Sequence, residues 1–244
     1  MPVPRIFCDI RLGPGAQFAL PADAANHVAR ALRLQHGDAL TVFDGSGGEY
    51  HATILRIDRG HVDVKIVGFD AVERESPFAV NLVQGIPESD KMDWIIQKAV
   101  ELGVASIRPV ICDRSVVRLA GERAARREAH WQRVAVAAVE QCGRNRVPQV
   151  LAPVAYQSWI APGSADAMRW MLAPGAPPLA SQARPGAPVE LLVGPEGGFS
   201  ERENDLALSA GFLALSLGPR VLRTETAPLA ALATINALWG DFAR

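Results

Sequence analysis

The sequence predicts an α/β protein in which helices cover both faces of a mostly parallel sheet, with a small β-rich domain before it. From Phe78 onward strands alternate with helices, which is typical of such a sheet. Before that point apolar residues recur with period two between short turns. The chain has 244 residues, 49% of them hydrophobic, which is enough for one large or two modest folded domains.

The first seventy residues indicate a small antiparallel barrel or meander. We expect a short strand at 5–9 and a helix opened by Pro21, because Ala25, Val28, Ala29 and Leu32 recur at helical spacing. Three strands should follow, at 39–44, 50–57 and 62–69. Segment 71–77 is charged and ends in proline, so we expect one domain over 1–72 and a second over 73–244.

The second domain is expected to contain five strands and four helices. The strands are predicted at 78–83, 106–112, 169–172, 189–193 and 212–217, and the helices at 90–102, 122–142, from Glu201 and at 226–242. The second helix should stop at Gly143, where glycine suits a left-handed cap. The last helix is apolar nearly all round, so we expect it to be buried on every side, partly by a second copy of the chain.

Composition and spacing exclude several classes. No apolar run approaches the 18 residues of a membrane span, and the first nine residues lack a signal-like core, so we expect a cytoplasmic protein. Cys8, Cys112 and Cys142 lack ligand spacing, which argues against a disulfide framework and a zinc site. The five histidines have no metal spacing either, so we expect no metal. Nine arginines against four acids between 108 and 146 permit a nucleic-acid partner.

Two strand-to-helix loops carry the strongest local signals. The first reads VELLVGPEGGFSERE, in which glycines allow close backbone approach to a ligand, and Ser200 with Glu203 forms a capping box. The second reads LSLGPRVLRTETAP, in which Thr224 or Thr226 could cap the last helix. Ligands bind beyond the carboxyl ends of parallel strands, so the two loops could form one cofactor pocket. The alternative for the first loop is a tight turn before a helix.

These residues resemble a known family, the bacterial small-subunit ribosomal RNA (uracil-N3) methyltransferases of the SPOUT superfamily. The resemblance runs almost end to end, through HVARALRLQHGD, QKAVELGVASIRPV, AVEQCGRNRVPQV, LLVGPEGGFSERE and LGPRVLRTETA. It implies a trefoil-knotted, mostly parallel α/β sheet with an N-terminal PUA-like β-barrel that binds RNA. It further implies a homodimer that methylates N3 of a uridine in 16S ribosomal RNA or the small subunit, with S-adenosylmethionine as donor.

The resemblance also carries over site residues. The donor would be held by Gly194, Glu196, Gly197, Leu217, Gly218, Val221, Leu222 and Arg223. Methyl transfer to uracil needs positioning and loss of the imide proton, so Glu196 and Glu225 are candidate bases, while Arg223 or Arg144 could stabilise the anionic base. For Glu196 the alternative is a carboxylate that merely favours a helix N-terminus.

Arginines are the candidate RNA contacts. We expect Arg5, Arg30, Arg33, Arg114, Arg144 and Arg146 to bind RNA. The polar set at 140–146 is either an RNA or pocket contact or a solvated helix end, and Lys98 with Glu101 is either a surface pair or part of the pocket.

Two alternatives to uridine N3 methylation stay open. One is a SPOUT enzyme that methylates a ribose 2′-oxygen or a different base. The other is a non-catalytic RNA-binding assembly factor, against which the intact glycine loops argue.

Overall fold

A computed structural model describes residues 3–88, 90–117, 119–160 and 167–242. The chain divides into two compact units. The first holds the residues up to Glu75 together with Val139–Val147, and the second holds the remainder. Within the described part of the chain, no helix is both long and apolar enough to cross a bilayer.

The first unit contains a five-stranded sheet. Its strands are β1 (Arg5–Phe7), β2 (Gln17–Ala19), β3 (Ala39–Phe43), β4 (Glu49–Asp58) and β5 (His61–Asp70), in the order β1-β3-β4-β5-β2. The expectation of an antiparallel arrangement is wrong at one place, because β1 pairs in parallel with β3. The chain between these two strands is long enough for the crossover that parallel pairing needs. Strand β2, which was not predicted, pairs antiparallel with β5.

Along β5 as far as Ile66, every second side chain points into the core of this unit. Val62, Val64 and Ile66 of β5 are each at most 1% exposed, as their alternation predicted. The predicted helix is α1 (Ala22–Asn26), which continues as a π-helical turn through Ala31. Its Ala25 and Val28 pack into the same core, so the helix covers one face of the sheet.

The second unit is built on a parallel sheet. Its strands are β6 (Val80–Gly85), β7 (Ser106–Ile111), β8 (Gln149–Val150), β9 (Val154–Ala155), β10 (Met168–Leu172), β11 (Val189–Val193) and β12 (Leu213–Leu215). The order is β12-β10-β11-β6-β7-β8, with β9 also paired to β7. Every pairing given for these strands is parallel, which confirms the predicted sheet.

Helices lie between these strands. They are α2 (Lys91–Glu101), α3 (Gly121–Cys142), α4 (Tyr156–Trp159), α5 (Glu201–Ser209) and α6 (Ala227–Leu238), with a 3₁₀ turn at Leu179–Ser181. The predicted buried face of α2 is confirmed, since Met92, Ile95, Ile96, Ala99 and Val100 are all buried. Helix α3 is followed by Gly143, whose φ of 85° is the predicted left-handed cap.

Helix α6 is largely covered within this single chain. Its buried residues include Ala231, Leu232 and Ile235, while Ala237 and Leu238 at its end are exposed, Leu238 to 45%. The expectation that a second copy of the chain covers part of this helix stays a prediction.

Candidate active site

A pocket of about 640 Å³ lies where three neighbouring parallel strands end. Strands β12, β10 and β11 run in the same direction, so the chain leaves all three at one edge of the sheet. The pocket is lined by Lys91, Gly198, Phe199, Asn204, Ala227 and residues 172–174, 193–196, 215–218 and 220–225. The two loops that the sequence singled out thus meet in one cavity.

The first loop turns sharply after β11. Gly198 donates its backbone N–H to the carbonyl of Pro195 over 2.9 Å and has a φ of +66°, which favours glycine. Gly85, at the end of the neighbouring strand β6, must also lack a side chain, because a Cβ there would lie 2.6 Å from Cδ of Pro195. The turn therefore packs directly against the backbone of Gly85, with no room for a side chain between them.

A capping box starts helix α5 just after this turn, as predicted. Ser200 accepts a hydrogen bond from the N–H of Glu203, and the Glu203 carboxylate accepts one from the N–H of Ser200. The same carboxylate, which is fully buried, accepts the N–H of Asp113 at 2.8 Å. The start of α5 is thus fixed to the loop that follows β7.

Thr224 joins the second loop to the first. Its hydroxyl donates to the carbonyl of Gly194 over 2.7 Å and accepts a hydrogen bond from the Gln84 side chain at 3.1 Å. The expectation that Thr224 or Thr226 caps α6 is wrong, because no side chain caps that helix and the Thr224 hydroxyl is engaged with Gly194.

Gln84 is a site residue that sequence reasoning missed. It is fully buried at the end of β6, and its amide also donates to the carbonyl of Gly85 at 2.9 Å. A lone amide in the otherwise apolar run LVQGI was the available signal, since buried polar groups need partners. The loop after β10 was missed as well. It supplies Leu172, Ala173 and Pro174 to the pocket, and its position after a strand of the same sheet was the available signal.

Charged groups face each other at the pocket rim. Lys91 donates to the Glu196 carboxylate over 2.7 Å, and the backbone N–H of Glu88 donates to it as well. Desolvation, the largest single influence, raises the pKa of Glu196, but the hydrogen bonds from Lys91 and from backbone N–H groups outweigh it and hold that pKa below its ordinary value. Glu196 is therefore an ionised partner of Lys91.

Two further ionisable residues line the pocket beside this pair. Arg223 is exposed, and in the described part of the chain no ion pair involves it. Glu225 also lines the pocket, and its Oε2 has no hydrogen-bond partner among the described residues.

Seven of the eight predicted cofactor residues line the pocket, and Gly197 does not. The Arg114 guanidinium donates to the Gly197 carbonyl at 2.9 Å, and a Cβ on Gly197 would lie 3.0 Å from Cβ of Arg114. Gly197 thus lies under Arg114, which was itself predicted to contact RNA.

Three predicted RNA-binding arginines make ion pairs inside the first unit. Arg5 pairs with Glu49, Arg144 with Glu75, and Arg146 with Glu73. Arg144 is only 5% exposed and is not among the pocket residues, although it was also predicted to be catalytic.

The amides and carboxylates around these arginines hold the end of α3 in place. The Glu140 carboxylate accepts the N–H of Phe7 at 2.9 Å, and Asn145 donates to the carbonyl of Val72 at 2.8 Å. Desolvation raises the pKa of Glu140 despite the hydrogen bond from Phe7. The polar set at 140–146 therefore has a structural explanation that local spacing could not reveal.

The remaining predicted residues lie at the surface. Arg30 and Arg33 are exposed, and Arg33 has a φ of 54°. Lys98 and Glu101 form an ion pair of 2.7 Å and are not among the pocket residues. In the described ranges, no three His, Cys, Asp or Glu side chains form a group that could hold a metal ion.

Comparison with protein families gives two matches. Residues 74–236 match the RNA methyltransferase domain family, and residues 20–67 match the RNA methyltransferase PUA domain family. Among curated relatives, the ribosomal RNA small subunit methyltransferase E of Bacillus subtilis is 30% identical, with 90% of this chain and 89% of the relative covered. The protein of the same name from Synechocystis is 32% identical, with coverages of 91% and 74%.

Solved structures extend the likeness. The ribosomal RNA small subunit methyltransferase E of Neisseria gonorrhoeae, bound to S-adenosyl methionine, is 38% identical with a TM-score of 0.92, and 98% of this chain and 99% of that chain are covered. A Legionella pneumophila protein in complex with bound SAM is 37% identical with a TM-score of 0.95, at coverages of 99% and 100%. These similarities confirm the predicted α/β fold with a parallel sheet, preceded by a PUA domain.

Proposed function

The chain belongs to the ribosomal RNA small subunit methyltransferase E family, and on that basis we propose that it methylates N3 of a uridine in 16S ribosomal RNA with S-adenosylmethionine as donor. The chain is an RNA methyltransferase, and we infer its acceptor atom and the roles of its residues from the pocket. The observation that carries the proposal is the pocket formed by LVGPEGGFSERE and LGPRVLRTETA at three parallel strand ends.

The pocket residues fit S-adenosylmethionine. Its volume of about 640 Å³ lies in the usual range for small-molecule sites. Leu217, Val221 and Leu222 offer apolar walls to an adenine ring, while Glu196 and Glu225 offer carboxylates to cationic groups. Gly194 and Gly218 let backbone approach closely, and Gly197 would support the same turn from beneath.

When bound, the cofactor supplies an activated methyl group on a sulfonium sulfur. The residues of this chain must then orient uracil N3 in line with that methyl and help its proton to leave. Transfer of the methyl to N3 with loss of the N3 proton leaves the ring neutral and converts the donor to its thioether.

Arg223 is proposed as the catalytic residue that stabilises the anionic uracil. Its guanidinium lines the pocket and has no ion pair in the described ranges, so it can meet negative charge on a uracil oxygen. Glu225, which lines the same pocket, is proposed to accept the N3 proton, because Oε2 has no partner in the described residues. Glu196 is engaged with Lys91 and Glu88, which supports a positioning role.

RNA binding is proposed for both units. Arg30 and Arg33 are exposed in the PUA-like unit, and Arg114 is exposed beside the cofactor loop. Arg5, Arg144 and Arg146 are ion-paired, so their proposed contribution is to hold the shape of the RNA-binding unit, and a catalytic role for Arg144 is no longer favoured. We place the protein in the cytoplasm as a homodimer.

Nucleoside analysis tests the acceptor atom. Small ribosomal subunits from a strain that lacks this protein should gain 3-methyluridine in 16S ribosomal RNA when incubated with the purified chain and S-adenosylmethionine, as read by chromatography and mass spectrometry. A 2′-O-methylated nucleoside would instead support the other SPOUT activity. Absence of any transferred methyl group would support the assembly-factor alternative.

Matched variants test the residues. Arg223→Ala should lower single-turnover methylation by about 100-fold, the usual effect of removing one preorganised charge stabiliser, with RNA affinity retained. Arg184→Ala, at an exposed position outside the pocket, is the control. Arg30→Ala with Arg33→Ala should weaken RNA binding and leave methylation at saturating RNA intact. A normal rate for Arg223→Ala would transfer the catalytic assignment to Glu225 or Glu196.

A further inference from the structure

A basic surface lies on helix α3, among residues that the methylation chemistry does not use. Arg123, Arg126, Arg127 and His130 recur at intervals of three and four, which places them on one helix face. Together with Val117 and Leu119 they line a second, shallow cavity of about 730 Å³. We call the four side chains and this cavity the α3 basic face.

Neighbouring acids neutralise little of this face. The pair between Glu122 and Arg126 is 2.8 Å long, but both side chains are mostly exposed, so it is weak and readily exchanged. His130 contacts Asp93 of α2 at 2.6 Å, which anchors one end of the face. Arg123 and Arg127 are exposed and enter no ion pair in the ranges that the structure describes. Two guanidinium groups are therefore available to an anion.

The chemistry of the face favours a phosphate backbone. Planar guanidinium groups bind phosphate oxygens through two parallel hydrogen bonds, and spaced arginines along one helix suit a ligand with repeated phosphates. Val117 and Leu119 add apolar surface at one end of the cavity, against which a sugar or base can pack.

The chain connects the α3 basic face to the cofactor pocket. Arg114 donates to the Gly197 carbonyl in the first cofactor loop, and Asp113 accepts a hydrogen bond from Ser200 at 2.8 Å. Val117 is three positions after Arg114, a span of at most about 11 Å. The α3 basic face and the first cofactor loop are therefore linked by a short stretch of chain, a distance that a few nucleotides can span.

We propose that the α3 basic face binds the phosphate backbone of the RNA strand that flanks the target nucleotide. The proposal deepens the proposed function and rests on it for the identity of the target. Binding of phosphates at this face does not depend on which atom is methylated.

Salt-dependent RNA binding tests the proposal in the full-length protein. The probe is a fluorescently labelled single-stranded RNA of about twenty nucleotides, followed by anisotropy over a range of potassium chloride concentrations. Arg123→Gln with Arg127→Gln should weaken binding roughly tenfold at low salt. The slope of log affinity against log salt should become shallower by about 1.4, because each phosphate contact on a single strand contributes about 0.7. Glutamine is a good helix former, so α3 should persist.

Two controls separate charge at this site from net charge and from folding. Arg184→Gln with Arg202→Gln removes the same charge from exposed positions outside the face and should leave the slope unchanged. Arg123→Lys with Arg127→Lys keeps the charge and should retain most of the slope. Binding of S-adenosylmethionine should be equal in all of these proteins.

The outcomes are distinguishable. An unchanged slope in the test variant, or an equal change in the Arg184 and Arg202 control, would overturn the proposal. A test variant that falls from dimer to monomer in light scattering would also overturn it, and would make the face an interface between copies. If wild type binds RNA through this face but transfers no methyl group to small subunits, the proposed function fails and the binding site stands.

Discussion

Thr224 shows how a single hydroxyl can organise a pocket. It receives a hydrogen bond from the buried Gln84 and donates one to Gly194, so it connects the two loops that we propose to hold the cofactor. Buried polar groups of this kind cost free energy when one partner is removed, commonly about 1–3 kcal/mol. The distance between the loops therefore depends on this contact.

Thr224→Val keeps the shape of the side chain and removes the hydroxyl. We expect it to weaken S-adenosylmethionine binding about tenfold, because the Gly194 carbonyl loses its 2.7 Å hydrogen bond and the Gln84 amide loses one of its acceptors. Isothermal titration calorimetry measures this. Thr224→Ser, which retains the hydroxyl, is the control and should bind nearly as well as wild type. Equal affinities for the two variants would refute the role of the hydroxyl.

Residue-level prediction succeeded where the signal was local. Ser200 and Glu203 lie three apart, and the capping box they predict is present. The additional hydrogen bond from the N–H of Asp113 to the Glu203 carboxylate joins residues 90 positions apart, and no local pattern encodes it. Arg144 is a catalytic candidate only through the chemistry that the family resemblance implies, and it pairs with Glu75, 69 residues away.

The loop between β12 and α6 contains one residue, Gly218, in a left-handed backbone conformation. Gly218 has a φ of +96°, where L side chains are strained, and a Cβ there would meet nothing within 4 Å. A side chain would therefore enter the pocket rather than the protein interior. Gly194 differs, since its Cβ would lie 3.3 Å from the Phe199 ring.

Gly218→Val should combine backbone strain with obstruction of the pocket. We expect a loss of stability of about 1–3 kcal/mol and loss of measurable S-adenosylmethionine binding at micromolar protein. Gly175→Val is a matched control, because Gly175 has a φ of +78°, an equally open Cβ position and no part in the pocket. If both variants lose stability and both keep the cofactor, the proposed placement of the cofactor is wrong.

The first unit depends on an element from far along the chain. Residues Val139–Val147 contain the end of α3 and pack with the strands before Glu75. Arg5 and Arg74 both pair with Glu49, and Arg74 also donates to the carbonyl of Gly143 at 2.9 Å. Desolvation raises the pKa of Glu49, but hydrogen bonds from Arg5 and Arg74 outweigh it and hold that pKa below its ordinary value of 4.5.

This pKa shift predicts acid sensitivity. A carboxyl group with a lowered folded-state pKa stabilises the fold above its ordinary pKa, and that stability is lost as the pH falls below about 4.5. Glu49→Gln should lower the thermal unfolding temperature at pH 7 and reduce its further fall between pH 5 and pH 3. Asp58→Asn, in an exposed pair with Arg56, is the control and should follow wild type. Circular dichroism melts measure both, and parallel pH profiles for wild type and Glu49→Gln would contradict the assignment.

For the molecule as a whole, helix α6 predicts self-association. The buried residues of this helix pack within the second unit. Two apolar residues at its end, Ala237 and Leu238, are exposed. A symmetric contact between two copies would cover this surface.

We expect a dimer of about twice the 26.1 kDa chain mass in multi-angle light scattering at micromolar concentration. Leu238→Asp should shift the equilibrium toward monomer, whereas Leu213→Asp, at another exposed leucine, should not. A wild-type monomer at these concentrations would remove the basis of this prediction.

The fold class was predictable from the sequence because strand and helix periodicities are local and repeat many times. Strands β8 and β9, of two residues each, were missed since so short a segment carries no period. The knot came only from the resemblance to a family, because threading leaves no trace in local pattern. Likewise, the parallel pairing of β1 with β3 is a choice of partner that alternation alone does not specify.

The first unit is made of two separate chain segments, and this affects when it can fold during synthesis. Its strands are synthesised first, yet the segment Val139–Val147 is complete only when Val147, 72 residues after Glu75, has been added. At about 5–20 residues per second, the ribosome needs roughly 4–14 s to produce the missing piece. Until then Arg5 has no Asn145 to contact and the N–H of Phe7 has no Glu140. The part of the protein that is made earliest therefore completes its native structure only after more than half of the chain has been translated.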